Sequence, residues 1–226
     1  MNIRRRIIIL TLSTLCLNFS YCKQAVKESG IQKLWAECKL EGEVPLDVFS
    51  SAIIGYRQLE LFKKKNILSI IDYSKPSDVN RFFVINLENK KLLFKCLVAH
   101  GKNSGEYNAT SFSNQSGSLK SSLGFFLTAE TYFGDNGYSL RLDGLEKGIN
   151  DSARMRDIVI HGAGYVSQKF IDENGRLGRS WGCPALPLEV TKDIIDCIAE
   201  GSCLFIYAAD SLYRETSVLH RPEGKR

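Results

Sequence analysis

Apolar side chains recur at Phe49, Ala52, Ile53, Tyr56 and Leu59, the i, i+3, i+4, i+7 and i+10 spacing of a helix with one buried face. Pro45 introduces that helix, and Asp47 places negative charge in its first turn, where the helix dipole favours it. Lys63, Lys64 and Lys65 close it with positive charge, and Asn66 helps to end it. The lysine run reads as a solvated helix end rather than a binding patch.

Beyond Asn66 the pattern changes to short apolar, β-branched runs. Residues 67–73 form one, stopped at Ser74-Lys75-Pro76-Ser77. Residues 82–87 and 92–99 flank the polar stretch Glu88-Asn89-Lys90-Lys91 and predict a hairpin. Residues 101–123 are rich in Gly, Ser and Asn. A loop of that length in a compact domain points to function or disorder. Further strands are expected at 124–131, 138–142 and 157–160. A late helix carries Val190, Ile194, Ile195 and Ile198 and ends at Gly201, and a last strand covers 203–208. No internal repeat appears. The expectation is a mainly β domain over 45–213 with two helices packed on it. An N-terminal arm or tether (22–44) precedes it, and a charged, frayed tail (214–226) follows.

The first residues change the picture. Arg4, Arg5 and Arg6 precede the apolar run from Ile7 to Leu17, which is too short to span a bilayer. Residues 1–21 read as a signal peptide, and Phe19-Ser20-Tyr21-Cys22 is a loose lipoprotein box in which Cys22 would carry the lipid. Simple cleavage or retention remains the alternative to lipidation. Export to the periplasm or cell envelope is expected, with membrane attachment only through the signal or that lipid. The leader also holds three arginines and no acid. Without it the formal charge drops from +5 to +2, with 27 basic residues left against 25 acidic ones. So balanced a chain carries no nucleic-acid footprint.

Of the seven cysteines, Cys16 belongs to the leader. Cys38, Cys96, Cys197 and Cys203 could form disulfides in an oxidising compartment, and four cysteines allow three pairings. Cys96 and Cys197 sit in apolar patterns and read equally well as buried free thiols.

The candidate chemistry lies in His161-Gly-Ala-Gly-Tyr165 and Arg179-Ser-Trp-Gly-Cys-Pro-Ala185. A thiol nucleophile needs a base to form its thiolate and pliable backbone to admit a substrate. Val159-Ile160-His161-Gly162 reads as a strand running into a glycine turn, which holds the imidazole and leaves it accessible. In Ser180-Trp181-Gly182-Cys183-Pro184, Gly182 permits a conformation closed to other residues, and Pro184 keeps the cysteine from entering a helix. Such a turn exposes the sulfur and directs the Gly182 and Cys183 N–H groups toward an oxyanion. Arg179, or a protonated His161, would favour the thiolate. The competing readings are a structural histidine and a structural or disulfide-bonded Cys183. A zinc site from His100, His161 and Cys183 has the ligand count but lacks any CxxC or HExxH spacing. His100 ends a strand as His161 does, and either lines the same cleft or caps that strand. His220, in the tail, has no assigned part.

At these residues the chain resembles the L,D-transpeptidase catalytic domain family of bacterial cell-wall enzymes (YkuD-like), and more closely its YkuD_2 branch. The resemblance runs from about Val48 to Ala208. It rests on Ile70-Ile-Asp-Tyr-Ser-Lys-Pro76, Val98-Ala-His-Gly101, Phe112-Ser-Asn114, Gly117-Ser118, Ser121-Ser-Leu-Gly124, Ile160-His-Gly-Ala163 and Gly178-Arg-Ser-Trp-Gly-Cys-Pro-Ala-Leu-Pro187. It implies a β-sandwich or barrel-like catalytic domain that acts on peptidoglycan stem peptides without cofactor or metal. His161 matches the family's base, Ser180 its hydroxyl residue, Gly182 its glycine and Cys183 its nucleophile. Trp181 replaces a second histidine, Pro184-Ala185 replaces the usual residues after the cysteine, and the spacer is longer than in the common form. Arg179 or Arg176 is the expected source of the missing positive charge. The implied reaction is 3→3 cross-linking with release of D-Ala. An L,D-carboxypeptidase and a non-catalytic wall-binding protein are the alternatives. The sequence leaves oligomeric state open.

Overall fold

A computed structural model describes residues 29–59 and 62–219. The expected leader with Cys22, and the tail from His220 onward, lie outside the described residues.

The predicted strands assemble into one eight-stranded sheet. Its members are β1 (Ile67–Asp72), β2 (Phe82–Asn86), β3 (Lys91–Cys96), β4 (Gly124–Gly134), β5 (Gly137–Gly144), β6 (Val159–Gly162), β7 (Ala185–Leu186) and β8 (Cys203–Tyr207). They hydrogen-bond in the order β3-β2-β1-β8-β4-β5-β6-β7. β1 and β8 run parallel at the centre, where every residue of β1 is buried, the apolar Ile67, Leu68, Ile70 and Ile71 together with the polar Ser69 and Asp72. The hairpin at 88–91 is present, with β2 and β3 antiparallel. Phe125 of β4 stacks on Phe205 of β8 with ring centroids 4.3 Å apart inside the core.

The edge strands β3 and β7 do not stay open. Past β3 the chain runs on to Ala99, whose N–H donates to Ala185 O of β7 at 2.9 Å. Gly101 bridges to Ser180 just before β7. The sheet therefore curls until its two ends meet, a nearly closed barrel in which few edge groups are left unpaired. This closure brings the 98–101 segment against the turn that carries Cys183.

The helix expected after Pro45 is α2 (Leu46–Gln58), which packs on β1 and β8 through Phe49, Ala52, Ile53 and Tyr56. The late helix is α4 (Leu188–Ile198), packed against β5 and β6. Lys63 donates to Tyr56 O of α2 at 3.4 Å, and Lys65 donates to Cys197 O of α4 at 3.3 Å. Two residues of the lysine run thus serve helix C-termini, where cations are favoured.

Among the described residues there are five helices, not two. The first, α1, covers residues 29–37. Ile31, Cys38, Leu40 and Val44 are buried in the main core, and Trp35 Nε1 donates to Val44 O at 2.8 Å. Residues 29–44 are thus an arm packed onto the barrel rather than a free tether. A short α3 (Gln168–Asn174) begins at Ser167, whose hydroxyl accepts from the Phe170 N–H. The start of the expected frayed tail is also held. Within and after α5 (Ser211–Thr216), Tyr213 and Ser217 are buried and both hydroxyls donate to the Glu146 carboxylate.

Candidate active site

His161 sits on β6 between two partners, opposite Ser139 of β5 and level with Ala185 of β7. Because β6 and β7 are parallel in this register, Cys183, two residues before Ala185, falls beside Val159, two residues before His161 on β6. The His161 N–H donates to Pro184 O at 3.4 Å, tying the two segments at the residue next to Cys183. The Cys183 sulfur rests on the stretch leading into β6: Val159 N–H donates to Sγ at 3.5 Å, and Sγ lies 3.4 Å from Asp157 O.

The imidazole is largely buried, and its Nδ1 lies 3.0 Å from Gly162 O. A carbonyl oxygen only accepts, so Nδ1 carries the proton and Nε2 keeps its lone pair. Nε2 has no hydrogen-bond partner among the described residues. Burial lowers the His161 pKa, and the hydrogen bond to Gly162 opposes this only in part. Burial likewise raises the Cys183 pKa, against the Val159 N–H and the charge of Arg156, which favour the thiolate. The resting pair is a neutral thiol and a neutral imidazole.

The turn around Cys183 is built by Ser180 and Gly182. Ser180 is buried; its hydroxyl donates to Cys183 O at 2.6 Å and accepts from the Gly182 N–H at 3.1 Å. This corrects one expectation: the Gly182 N–H is engaged inside the turn and does not point toward an oxyanion. Gly182 itself is required. Its φ is +129°, and a Cβ there would stand 2.9 Å from Lys120 O.

Lys120 belongs to the long polar loop, which is ordered against the site. Ser121 Oγ donates to Gly182 O at 3.1 Å and accepts from the Gly101 N–H at 3.0 Å. Ser104 Oγ accepts from the Ser121 N–H at 2.9 Å. A buried serine network therefore fastens the loop, the 98–101 segment and the Cys183 turn together.

The arginines are distributed differently from the expectation. Arg179 and Arg176 both pair with Glu106, at 2.7 and 3.1 Å, and Arg179 also donates to the carbonyls of Lys102 and Gly105. Both pin the 102–106 segment, and their guanidiniums are drawn to the single Glu106 carboxylate. The cation that acts on Cys183 is Arg156. Sequence reasoning missed it because it lies outside every recognisable motif; its only signal is a place five residues before His161.

His100 lines no open cleft. It is fully buried, with Nδ1 2.8 Å from Arg81 Nη2 and Nε2 3.2 Å from Gly105 O. Both nitrogens are engaged, so it is not arranged as a metal ligand, and no cluster of three or more metal-binding side chains occurs among the described residues. Trp181, in place of a second histidine, projects into solvent at 75% exposure. Gly162 lies beneath Leu188 and Thr191 of α4 and supplies the carbonyl that orients His161. Tyr73 and Tyr165 also stand within electrostatic reach of Cys183, with burial pushing each phenol up to about 12. Cys38, Cys96, Cys183, Cys197 and Cys203 are all free thiols, so none of the possible disulfide pairings is formed.

A half-buried thiol and a buried imidazole whose Nε2 is unengaged among the described residues thus lie on adjoining segments of a nearly closed β barrel. Residues 40–207 match YkuD_2, the L,D-transpeptidase catalytic domain, and the chain belongs to that family. Among solved structures the chain is similar to the helical cell shape determining protein Pgp2 from Campylobacter jejuni, with 14% identity and a TM-score of 0.43, covering 78% of this chain and 62% of that one. It is also similar to an L,D-transpeptidase from Mycobacterium smegmatis, with 14% identity and a TM-score of 0.39 over 63% of this chain and 59% of that one. An L,D-transpeptidase from Mycobacterium tuberculosis H37Rv gives 12% identity and a TM-score of 0.37 over 63% and 57%. The chain thus covers less than two thirds of each of these proteins. Comparison with curated proteins found no match.

Proposed function

We propose that the protein is an exported murein L,D-transpeptidase in which Cys183 is the nucleophile and His161 the base. The supporting observation is the His161 tautomer: Nδ1–H is committed to Gly162 O, which leaves Nε2 to take the thiol proton. The donor is a peptidoglycan tetrapeptide stem ending in a diamino acid and D-Ala. As His161 Nε2 takes the thiol proton, Sγ attacks the carbonyl carbon at the L-centre of the diamino acid. The C–N bond to D-Ala then breaks, and His161 returns the proton to the leaving amine, so that a thioester and free D-Ala result. An amine of a neighbouring stem attacks the thioester and loses its proton to His161. Sγ departs and is reprotonated, and a 3→3 cross-link remains. No step calls for an external redox partner or nucleotide. Residues 1–21 would direct the chain to the compartment that holds this substrate.

The test is intact-mass and product analysis after mixing the protein with purified disaccharide tetrapeptide. The expected result is a cross-linked dimer with D-Ala release, absent in Cys183→Ala. Tripeptide without dimer would reassign the protein as an L,D-carboxypeptidase. Neither thioester nor product would leave a non-catalytic wall-binding protein.

A further inference from the structure

Arg156 lies where the long loop, the nucleophile turn and the strand of His161 meet. Its guanidinium makes four hydrogen bonds to one loop. Nη1 donates to Ser113 O at 2.7 Å and to Ser122 Oγ at 2.6 Å; Nη2 donates to Lys120 O at 2.7 Å and to Ser118 Oγ at 3.2 Å. All four acceptors are neutral. No carboxylate lies within ion-pair distance of Arg156 among the described residues, whereas Arg176 and Arg179 share Glu106. Lys120 O, held by Nη2, is the same atom that lies against Gly182. The residues following Arg156 then line the sulfur, through Asp157 O and the Val159 N–H.

We propose that Arg156 is a positioning residue for the thiolate: it clamps the 113–122 loop behind the Gly182 turn and leaves its positive charge uncompensated beside Cys183. The geometry gives it two tasks, since a lysine could supply the charge but not the four-point fork. The other ionisable groups around Cys183 do not replace it. The Asp157 carboxylate pairs with Arg141 at 3.3 Å and its charge opposes the Cys183 thiolate, and the Lys120 ammonium donates to Ser111 Oγ at 2.7 Å. His161 is held neutral, and the phenols of Tyr73 and Tyr165 stay protonated. Arg156 is then the cation, among the described residues, whose charge favours the Cys183 thiolate.

This inference rests on Cys183 acting as a thiolate nucleophile, but its test reads the thiol rather than turnover. Alkylation of Cys183 by iodoacetamide, followed across pH by peptide mass mapping, gives the thiol's apparent pKa. Arg156→Gln is expected to move that pKa upward by about half to one unit, which slows alkylation near neutral pH about threefold to tenfold. Arg156→Lys is expected to restore most of the shift. Ser122→Ala, which removes one anchor and keeps the charge, is expected to stay within about threefold of the unsubstituted protein. Identical profiles for Arg156→Gln and the unsubstituted protein would overturn the proposal, as would Arg156→Lys behaving like Arg156→Gln. A measurement on the unsubstituted protein covers the case in which Arg156→Gln does not fold. An uncompensated cation at Sγ favours an anionic reagent, so the iodoacetate-to-iodoacetamide rate ratio at Cys183 should exceed that of free cysteine by about threefold or more. A ratio equal to or below that of free cysteine would also overturn it. Loss of cross-linking with these thiol properties intact would count against the proposed function and leave the role of Arg156 standing.

Discussion

Arg81 Nη2 donates to His100 Nδ1 at 2.8 Å, with both side chains fully buried. A guanidinium has no acceptor, so the contact fixes His100 as the Nε2–H tautomer that donates to Gly105 O. Burial first, and then the Arg81 charge, lower the His100 pKa to about 4 from 6.5. In the interval between these values the unfolded chain binds a proton that the folded chain refuses. Stability is therefore complete above pH 6.5 and is lost as pH falls toward 4. The full effect is about 3 kcal/mol. His100→Gln keeps an acceptor for Arg81 and a donor for Gly105 without titrating. Denaturant melts at pH 7 and at pH 4 should show this variant losing about 3 kcal/mol less than the unsubstituted protein. Equal losses would mean that His100 is not the titrating group.

The neutral Cys183–His161 pair carries its own pH signature. Burial places the His161 pKa below 6.5 and the Cys183 pKa above 9.0. If His161 accepts the proton during attack, the reactive form spans the whole interval between the two values. Acylation of Cys183 by a carbapenem, measured by intact mass, should be nearly flat across that interval and should decline only below pH 6.5 on the acid side. His161→Ala should lower the rate about 100-fold or more, and Cys183→Ala should abolish it. An acid limb centred above 6.5 would contradict the buried, neutral histidine.

Glu146 ties α5 to the barrel. Its carboxylate accepts from the Phe125 N–H at 2.8 Å and from the hydroxyls of Tyr213 and Ser217, with no cation paired to it among the described residues. Burial raises its pKa despite these donors. The folded state thus binds this proton more readily than the unfolded chain. The cost of the buried charge appears as pH rises through the folded pKa and is absent at acid pH. Glu146→Gln should gain stability relative to the unsubstituted protein between pH 4 and pH 8. Glu146→Ala should cost about 1–3 kcal/mol for each donor it strands, and should expose α5 to early proteolysis. A Glu146→Gln difference that does not change with pH would argue against the buried charge.

The parts legible in the sequence were those that repeat along the chain. The stripe Phe49, Ala52, Ile53, Tyr56 became one face of α2, and the mostly apolar, β-branched run of β1 became an interior strand. What escaped has no such period. In α3 only Ile171 is buried, so it shows no apolar stripe, and β7 is two residues long. The arm at 29–44 looked charged because its few buried positions, such as Ile31 and Leu40, are scattered among lysines and glutamates. His161 and Cys183 stood out because glycines and a proline mark their turns. Arg156 did not, since its four acceptors lie 34 to 43 residues away on loop carbonyls and hydroxyls. Barrel closure at Ala99–Ala185 likewise depends on sheet curvature rather than on any local signal.

Gly182 offers the most direct test of how tightly the loop backs the Cys183 turn. At φ +129° a side chain is strained whatever space surrounds it, and the nearest atom, Lys120 O, is backbone that Arg156 and the serine network hold in place. The loop cannot retreat without breaking those bonds. Gly182→Ala should therefore cost about 1–3 kcal/mol of stability. It should also displace the turn whose Ser180–Cys183 bond sets the direction of the sulfur. The expected result is a folded protein with a lowered melting temperature, whose Cys183 acylation falls about 10-fold or more because the reacting atoms are misplaced. Gly101→Ala is the companion case, since a Cβ there would meet Leu119 O at 2.6 Å and the Gly182 Cα at 2.9 Å. If both variants kept the melting temperature and acylation rate of the unsubstituted protein, the loop would have to be far more yielding than its hydrogen bonds imply.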